Sequence, residues 1–195
     1  WIYPNIFSPA HVIFLELIMG PTCSIVFENE PMEKNAMQQK PRSFKTTFFN
    51  SRELLTSIIQ GLAISAGTLF TYQYAVRNGF NEAHTRTMVF TVLVAANIFL
   101  TLQNRSFYYS IFTTIKYRNN LVLLIISITS GIMLMLLYIP VFTAFFLFER
   151  LSFMELGFCV LIGLISVLWY ELVKIRTRWR SKNRINLNVK TRAAL

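Results

Sequence analysis

The stretch LVLLIISITSGIMLMLLYIPVF, Leu121 to Phe142, runs for 22 residues without a charged side chain. A membrane-crossing helix needs ~20 mostly apolar residues, within a range of about 17–25. Working outward from this block, four more of the same kind appear. They lie near Ala10–Phe27, Leu54–Val76, Thr85–Gln103 and Phe153–Lys174. The whole chain is 54% hydrophobic and only 14% charged, against about 25% charged in a soluble domain. The expectation is an all-α fold: an integral membrane bundle of five transmembrane helices. It would occupy residues 1–180, with a basic, flexible cytoplasmic tail over 181–195.

The net charge is +10, and its placement gives a topology. Eight basic residues follow the last apolar block, at Lys174, Arg176, Arg178, Arg180, Lys182, Arg184, Lys190 and Arg192. Grouping alternate flanks puts 16 Lys and Arg on one side of the membrane and 3 on the other. Cytoplasmic loops carry the Lys/Arg excess. The C-terminus is therefore expected in the cytoplasm and, with five spans, the N-terminus outside. The plasma (inner) membrane is the expected location. No soluble domain surrounds the basic tail, so nucleic acid is not an expected partner, and membrane lipid is. The chain starts at Trp1, with no signal peptide visible, and reads as the tail of something longer.

Soluble-enzyme signatures are missing. There is no GxxxxGK[ST] loop and no HExxH. His11 and His84 lie far apart at membrane edges. Cys23 and Cys159 sit inside apolar blocks, where a thiol reads as a small apolar residue.

Ionisable groups inside a span are costly and point to function. Glu16 lies within Phe14-Leu15-Glu16-Leu17-Ile18. Gly20 and Pro21 follow. Pro21 has no N–H for the Leu17 carbonyl and its ring crowds that oxygen. The helix is expected to bend or unwind over residues 17–21, freeing carbonyls as transporters do around cations. Glu16 with a broken turn at Leu17, Gly20 and Pro21 is thus a candidate cation site; the bland alternative is a protonated or hydrogen-bonded carboxyl. Asn97 is the matching polar group of the third span, an oxygen ligand or interhelical glue. In the second span, Gly61 and Ser65, and Ala63 and Gly67, are spaced for close helix packing. Glu171 is one turn from Lys174, where an ion pair is cheap.

Three stretches carry a resemblance. One is Pro9-Ala10-His11 through Glu16 to Gly20-Pro21, with Phe27-Glu28-Asn29-Glu30-Pro31, Met37 and Lys40-Pro41-Arg42 after it. Another is Thr87-Met88 to Leu93-Val94, with Asn104-Arg105-Ser106. The last is Ser166-Val167-Leu168-Trp169-Tyr170-Glu171-Leu172-Val173-Lys174. Together they resemble the C-terminal membrane region, helices six to ten, of type II, calcium-pump-like P-type cation-transporting ATPases. The resemblance implies that the phosphorylated aspartate and nucleotide pocket precede this segment. The chain alone would then be inactive and hold no cofactor. The parent pump would use Mg-ATP and a transported cation, and the N-terminal remainder of the pump would be the partner. Matched to the family's ion site, an Asn falls on Glu16, a Thr on Met19, an Asp on Gly20, and the eighth-helix carboxylate on Asn97. Loss of that aspartate argues against calcium specificity. The rival expectation is a free-standing five-span protein that binds or assembles a partner.

Overall fold

The computed structural model describes residues 6–28, 51–104 and 120–193. The described residues form only helices and short connections: α1 Pro9–Glu28, α2 Ser51–Arg77, α3 Glu82–Asn104, α4 Asn120–Tyr138, α5 Pro140–Phe145 and α6 Phe153–Ala193. Four of them are long and apolar enough to cross a membrane, over Leu54–Arg77, Glu82–Asn104, Leu121–Tyr138 and Phe153–Glu171. The described apolar part of α1, Pro9–Gly20, is shorter than a span. Among the described residues four spans are thus found, and the fifth that the sequence predicted is not confirmed.

Two boundaries differ from the sequence reading, for local reasons. The block quoted first is not one helix to Phe142. Ile139 is extended (φ −85°, ψ 121°), and the six-residue α5 restarts with Pro140 at its first position. A residue before proline is pushed out of the helical region, so α4 ends at Tyr138. At the other end of the chain, α6 continues as helix to Ala193, across most of the segment expected to be a tail. The loop around Lys34–Lys45 lies outside the described residues.

Packing is organised around α3. It meets α6 and α2 on one side, and α1 and α4 on the other. Every residue from His84 to Val92 is buried. The α3–α6 crossing is close because Gly163 has no side chain. A Cβ there would meet the Ala96 amide nitrogen at 2.9 Å, the Ala95 Cβ at 3.0 Å and the Val92 carbonyl at 3.2 Å. Small residues at a crossing let helix backbones approach. Gly67 of α2 does the same work, lying directly against Ser166 of α6. Gly61, the other glycine of the sequence pattern, has nothing within 4 Å of an added Cβ. The packed face of α2 is instead Gln60, Ile64, Thr71 and Ala75, all buried, at the helical period. At the far end of this face Gln60 Nε2 donates to Asn104 Oδ1 at 3.2 Å. Cys159 is fully buried as a free thiol in the cluster of Ala75, Met88, Val92, Leu151 and Ile162.

Candidate functional site

Helix α1 has two unlike faces. Ala10, Phe14, Leu15 and Met19 pack against a core of Phe90, Val94, Met133, Leu136 and Leu137. Val12, Ile13, Glu16, Leu17 and Gly20 are exposed. Their spacing places them on one helical face. A Cβ added at Gly20 would meet nothing within 4 Å. Glu16 makes no hydrogen bond or ion pair with the described residues. A carboxylate on an apolar helix of a membrane bundle, turned away from the other described helices, is left for something else to neutralise.

The candidate positions divide between these faces. Glu16 and Gly20 share the open face, one turn apart, with Leu17 beside them. Met19 lies on the opposite face, packed into the core. Met19 thus drops out of the set that the family's ion site suggested. The opened turn is not present either: α1 is one continuous helix through Gly20 and Pro21. A single proline removes one intrahelical hydrogen bond, and the helix continues past it. The Leu17 carbonyl still receives no N–H from Pro21.

Asn97 sits half-buried on α3. Its Nδ2 donates to the Leu93 carbonyl at 2.9 Å. Its own carbonyl accepts from Thr101 Oγ1 at 2.9 Å. The amide is thus held along its own helix with the nitrogen engaged, and Oδ1 is the group not used in that bond. No described contact joins Asn97 to Glu16. Among the described residues, no cluster of three His, Cys, Asp or Glu is close enough to hold a metal ion.

The inner face of α1 is fixed by a polar cluster that sequence reading missed. His11 is buried. Its Nδ1 lies 2.7 Å from Ser8 Oγ and accepts the Ser8 amide at 3.1 Å. With Nδ1 an acceptor, Nε2 carries the proton and donates to the Phe146 carbonyl at 2.8 Å. Phe7, Phe90, Phe146 and Phe148 surround the ring. Arg86 is buried too, and it ties three segments together. Nε donates to the Ile6 carbonyl, Nη1 to the Leu147 carbonyl at 3.0 Å, and Nη2 pairs with Glu82 at 2.6 Å. Thr87 Oγ1 accepts the Glu149 amide at 2.9 Å. His84 pairs with Glu155 at 3.1 Å, and Glu155 also caps α6 by accepting from the Ser152 amide and hydroxyl.

The loop these groups grip has a particular backbone. The Phe148 amide donates to the Thr143 carbonyl and the Leu147 amide to the Ala144 carbonyl. That is a Schellman cap on α5, with Leu147 in the left-handed region at φ 52°. The cap on α2 has the same bonds, Phe80 to Ala75 and Gly79 to Val76, with a glycine at φ 73°. A leucine in that conformation costs roughly 1–2 kcal/mol, and the Arg86 bond to its carbonyl helps hold it.

The readable signals were partial. In the topology expected from the sequence Arg86 is one of three Lys and Arg on its side, and Ser152 with Glu155 fits a capping box. Neither signal says that Ile6, Arg86 and Leu147 meet.

Comparison with known proteins agrees with this architecture. The sequence profile of the family described as "Cation transporting ATPase, C-terminus" matches residues 4–176. The chain is 26% identical over 189 residues to human calcium-transporting ATPase type 2C member 1, covering 96% of this chain and 20% of that protein. It is 29% identical over 184 residues to rat calcium-transporting ATPase type 2C member 2, covering 92% and 19%. It is also 24% identical over 181 residues to calcium-transporting ATPase 1 of Yarrowia lipolytica, covering 92% and 19%. The chain spans about a fifth of the length of these relatives. With a family match over most of its length, the chain belongs to the C-terminal membrane region of the cation-transporting P-type ATPases.

Proposed function

We propose that this chain is the membrane-embedded C-terminal part of a cation pump, that it packs around the ion path, and that Glu16 helps to line it. The observation that carries this is the exposed Glu16, without a partner among the described residues, on a face of α1 that those residues leave uncovered. In this reading the N-terminal remainder of the pump covers that face. That remainder supplies the Mg-ATP site, the phosphorylated aspartate and the other ion ligands. Asn97 offers a neutral oxygen from α3, and the Leu17 carbonyl one from α1.

In this reading α1, through to Glu28, is the fifth span. The 16-to-3 division of Lys and Arg then supports an outer N-terminus and a cytoplasmic C-terminus in the plasma (inner) membrane, with lipid around the bundle and no nucleic acid. The relatives are named calcium-transporting. For this chain, one carboxylate with a few neutral oxygens suits a weak or monovalent site, because Ca²⁺ takes about 6–8 oxygens and binds more tightly as ligand charge rises.

The test compares two proteins under labelled ATP. The purified 195-residue chain should neither hydrolyse ATP nor form a phosphoenzyme. The full-length pump containing it should do both, with stimulation by a cation. Phosphorylation of the chain alone, or a full-length protein that is never phosphorylated, would contradict the proposal.

A further inference from the structure

The connection between α4 and α6, residues 139–152, is built unlike a loop that stands in water. Its short helix α5 reads Pro140-Val141-Phe142-Thr143-Ala144-Phe145. The one hydroxyl in it, Thr143 Oγ1, donates back to the Pro140 carbonyl at 3.0 Å. On one face Phe142 packs against the core cluster that holds Phe90, Leu136 and Leu137. Val141, Ala144 and Phe145, spaced i, i+3 and i+4, share a face and are exposed, Val141 at 74% and Phe145 at 70%. A helix that is apolar all round belongs in a protein core or in a membrane.

What the connection touches fixes its depth. The Phe148 ring lies 4.9 Å from that of Phe90, and the Phe146 ring 5.1 Å from that of Phe14. Phe90 comes four residues after Arg86, the last charged residue of α3, which is about 6 Å further along the axis. The connection therefore folds back beside the apolar part of the bundle and does not stand above it. Irregular backbone at that depth has no water to bond and must find partners within the protein. It finds four. The Phe146 carbonyl accepts from His11 Nε2 at 2.8 Å, the Leu147 carbonyl from Arg86 Nη1 at 3.0 Å and the Leu151 carbonyl from Tyr138 Oη at 3.2 Å. The Glu149 amide donates to Thr87 Oγ1 at 2.9 Å. These partners come from α1, α3 and α4, and pairing the backbone is what lets the connection sit below the surface.

We propose that α5 is a membrane-dipping element whose exposed face, Val141, Ala144 and Phe145, contacts the acyl chains of the leaflet at this end of the bundle. Lipid is the occupant because the segment is continuous with two membrane-crossing helices. Only Ile139 separates α5 from the end of α4. On the other side α6 opens with Phe153 and Met154, both almost fully exposed. An apolar face between two such helices, at the depth of Phe90, meets acyl chains. The inference needs α4 and α6 to cross a bilayer. It does not need the chain to be part of an active pump, so it can fail or hold independently of the proposed function.

The experiment reconstitutes the full 195-residue chain, carrying Cys23→Ala, in phosphatidylcholine bilayers. Cys159 is fully buried and stays unlabelled. Single nitroxide labels are attached through Val141→Cys and Phe145→Cys. Both native side chains are mostly exposed, so the substitutions remove little packing. Asn78→Cys, in the exposed turn between α2 and α3 at the same end, serves as the reference for water. Leu123→Cys, exposed on α4, serves as the reference for lipid. Collision rates with oxygen and with a water-soluble nickel chelate give the depth of each label. The labels at 141 and 145 should favour oxygen, as at 123, and read about 5–10 Å inside the headgroup boundary, while the label at 78 favours nickel. Nickel collisions at 141 and 145 as frequent as at 78 would put α5 in water and overturn the proposal. Labels there that are immobilised and shielded from both reagents would mean that a second copy of the chain covers the face, and would overturn it as well.

Discussion

The two long helices on either side of the short turn at 78–81, α2 and α3, are alike in composition and unlike in surroundings. Of their most apolar windows, 61% is buried in α3 and 17% in α2. α3 is surrounded by four other helices of the chain. α2 and α1 each commit one face to it and leave the other open, with Leu54, Leu55, Ile58, Leu62, Leu69 and Phe70 exposed on α2. In a bilayer, an apolar exposed face is solvated by lipid or by another helix and needs no special account. A carboxylate on such a face does. The difference separates two regions of this chain: the packing that holds it together lies around α3, and Glu16, the residue proposed for the ion path, lies on the side turned away from it.

Substitutions at the packed side should give the largest effects. Gly163→Leu places a side chain against α3 backbone that cannot move aside. It should destabilise the detergent-solubilised chain by about 3 kcal/mol or more, seen as a large fall in Tm or loss of the folded protein. Gly131→Leu, at a glycine with open space around it, should change stability by less than about 1 kcal/mol. Equal effects at the two positions would remove the distinction between packed and open surfaces.

Arg86→Met should come next, at about 2–4 kcal/mol. It deletes bonds to the carbonyls of Ile6 and Leu147 and leaves them without that donor, while the exposed Glu82 loses its partner at little cost. Thermal unfolding of Arg86→Met beside a Glu82→Gln control would check it. A loss no larger than that of the control would mean the guanidinium does not bind the three segments together.

The paired caps give a smaller and signed test. Leu147→Gly relieves a left-handed leucine and should stabilise by about 1 kcal/mol. Gly79→Ala imposes the same strain and should destabilise by about 1 kcal/mol. In the Arg86→Met background the gain from Leu147→Gly should grow, because nothing then holds the leucine carbonyl in place. Urea or thermal denaturation would show both signs, and effects of one sign at both loops would contradict the cap assignment.

The sequence was legible where one segment decides the outcome. Helix positions follow from the apolar blocks, and Glu16 stands out because a charge inside such a block is rare. The rest depends on which segments meet. Met19 and Gly20 are neighbours in sequence, yet one turns into the core and the other out of it, and the pattern Phe14, Leu15, Ile18, Met19 shows this only once α1 is known to pack on α3 and α4. The unwinding expected at Gly20-Pro21 follows correctly from proline chemistry, but one missing hydrogen bond does not open a helix otherwise intact on both sides. The cluster of His11, Arg86 and Leu147 joins residues up to 135 positions apart, and local patterning is silent on such pairings. The end of α4 at Tyr138 could have been read from Pro140 alone.

The most direct test of the functional account is ion-stimulated ATPase activity of the full-length pump carrying Glu16→Gln, beside Asn97→Ala. The Glu16 carboxylate has no bond among the described residues to lose, so the substitution should leave stability within about 0.5 kcal/mol while weakening ion stimulation more than Asn97→Ala does. Ion dependence unchanged by Glu16→Gln, in a protein that still folds and is phosphorylated, would make the glutamate a packing or proton-bearing residue and would contradict its place at the ion path.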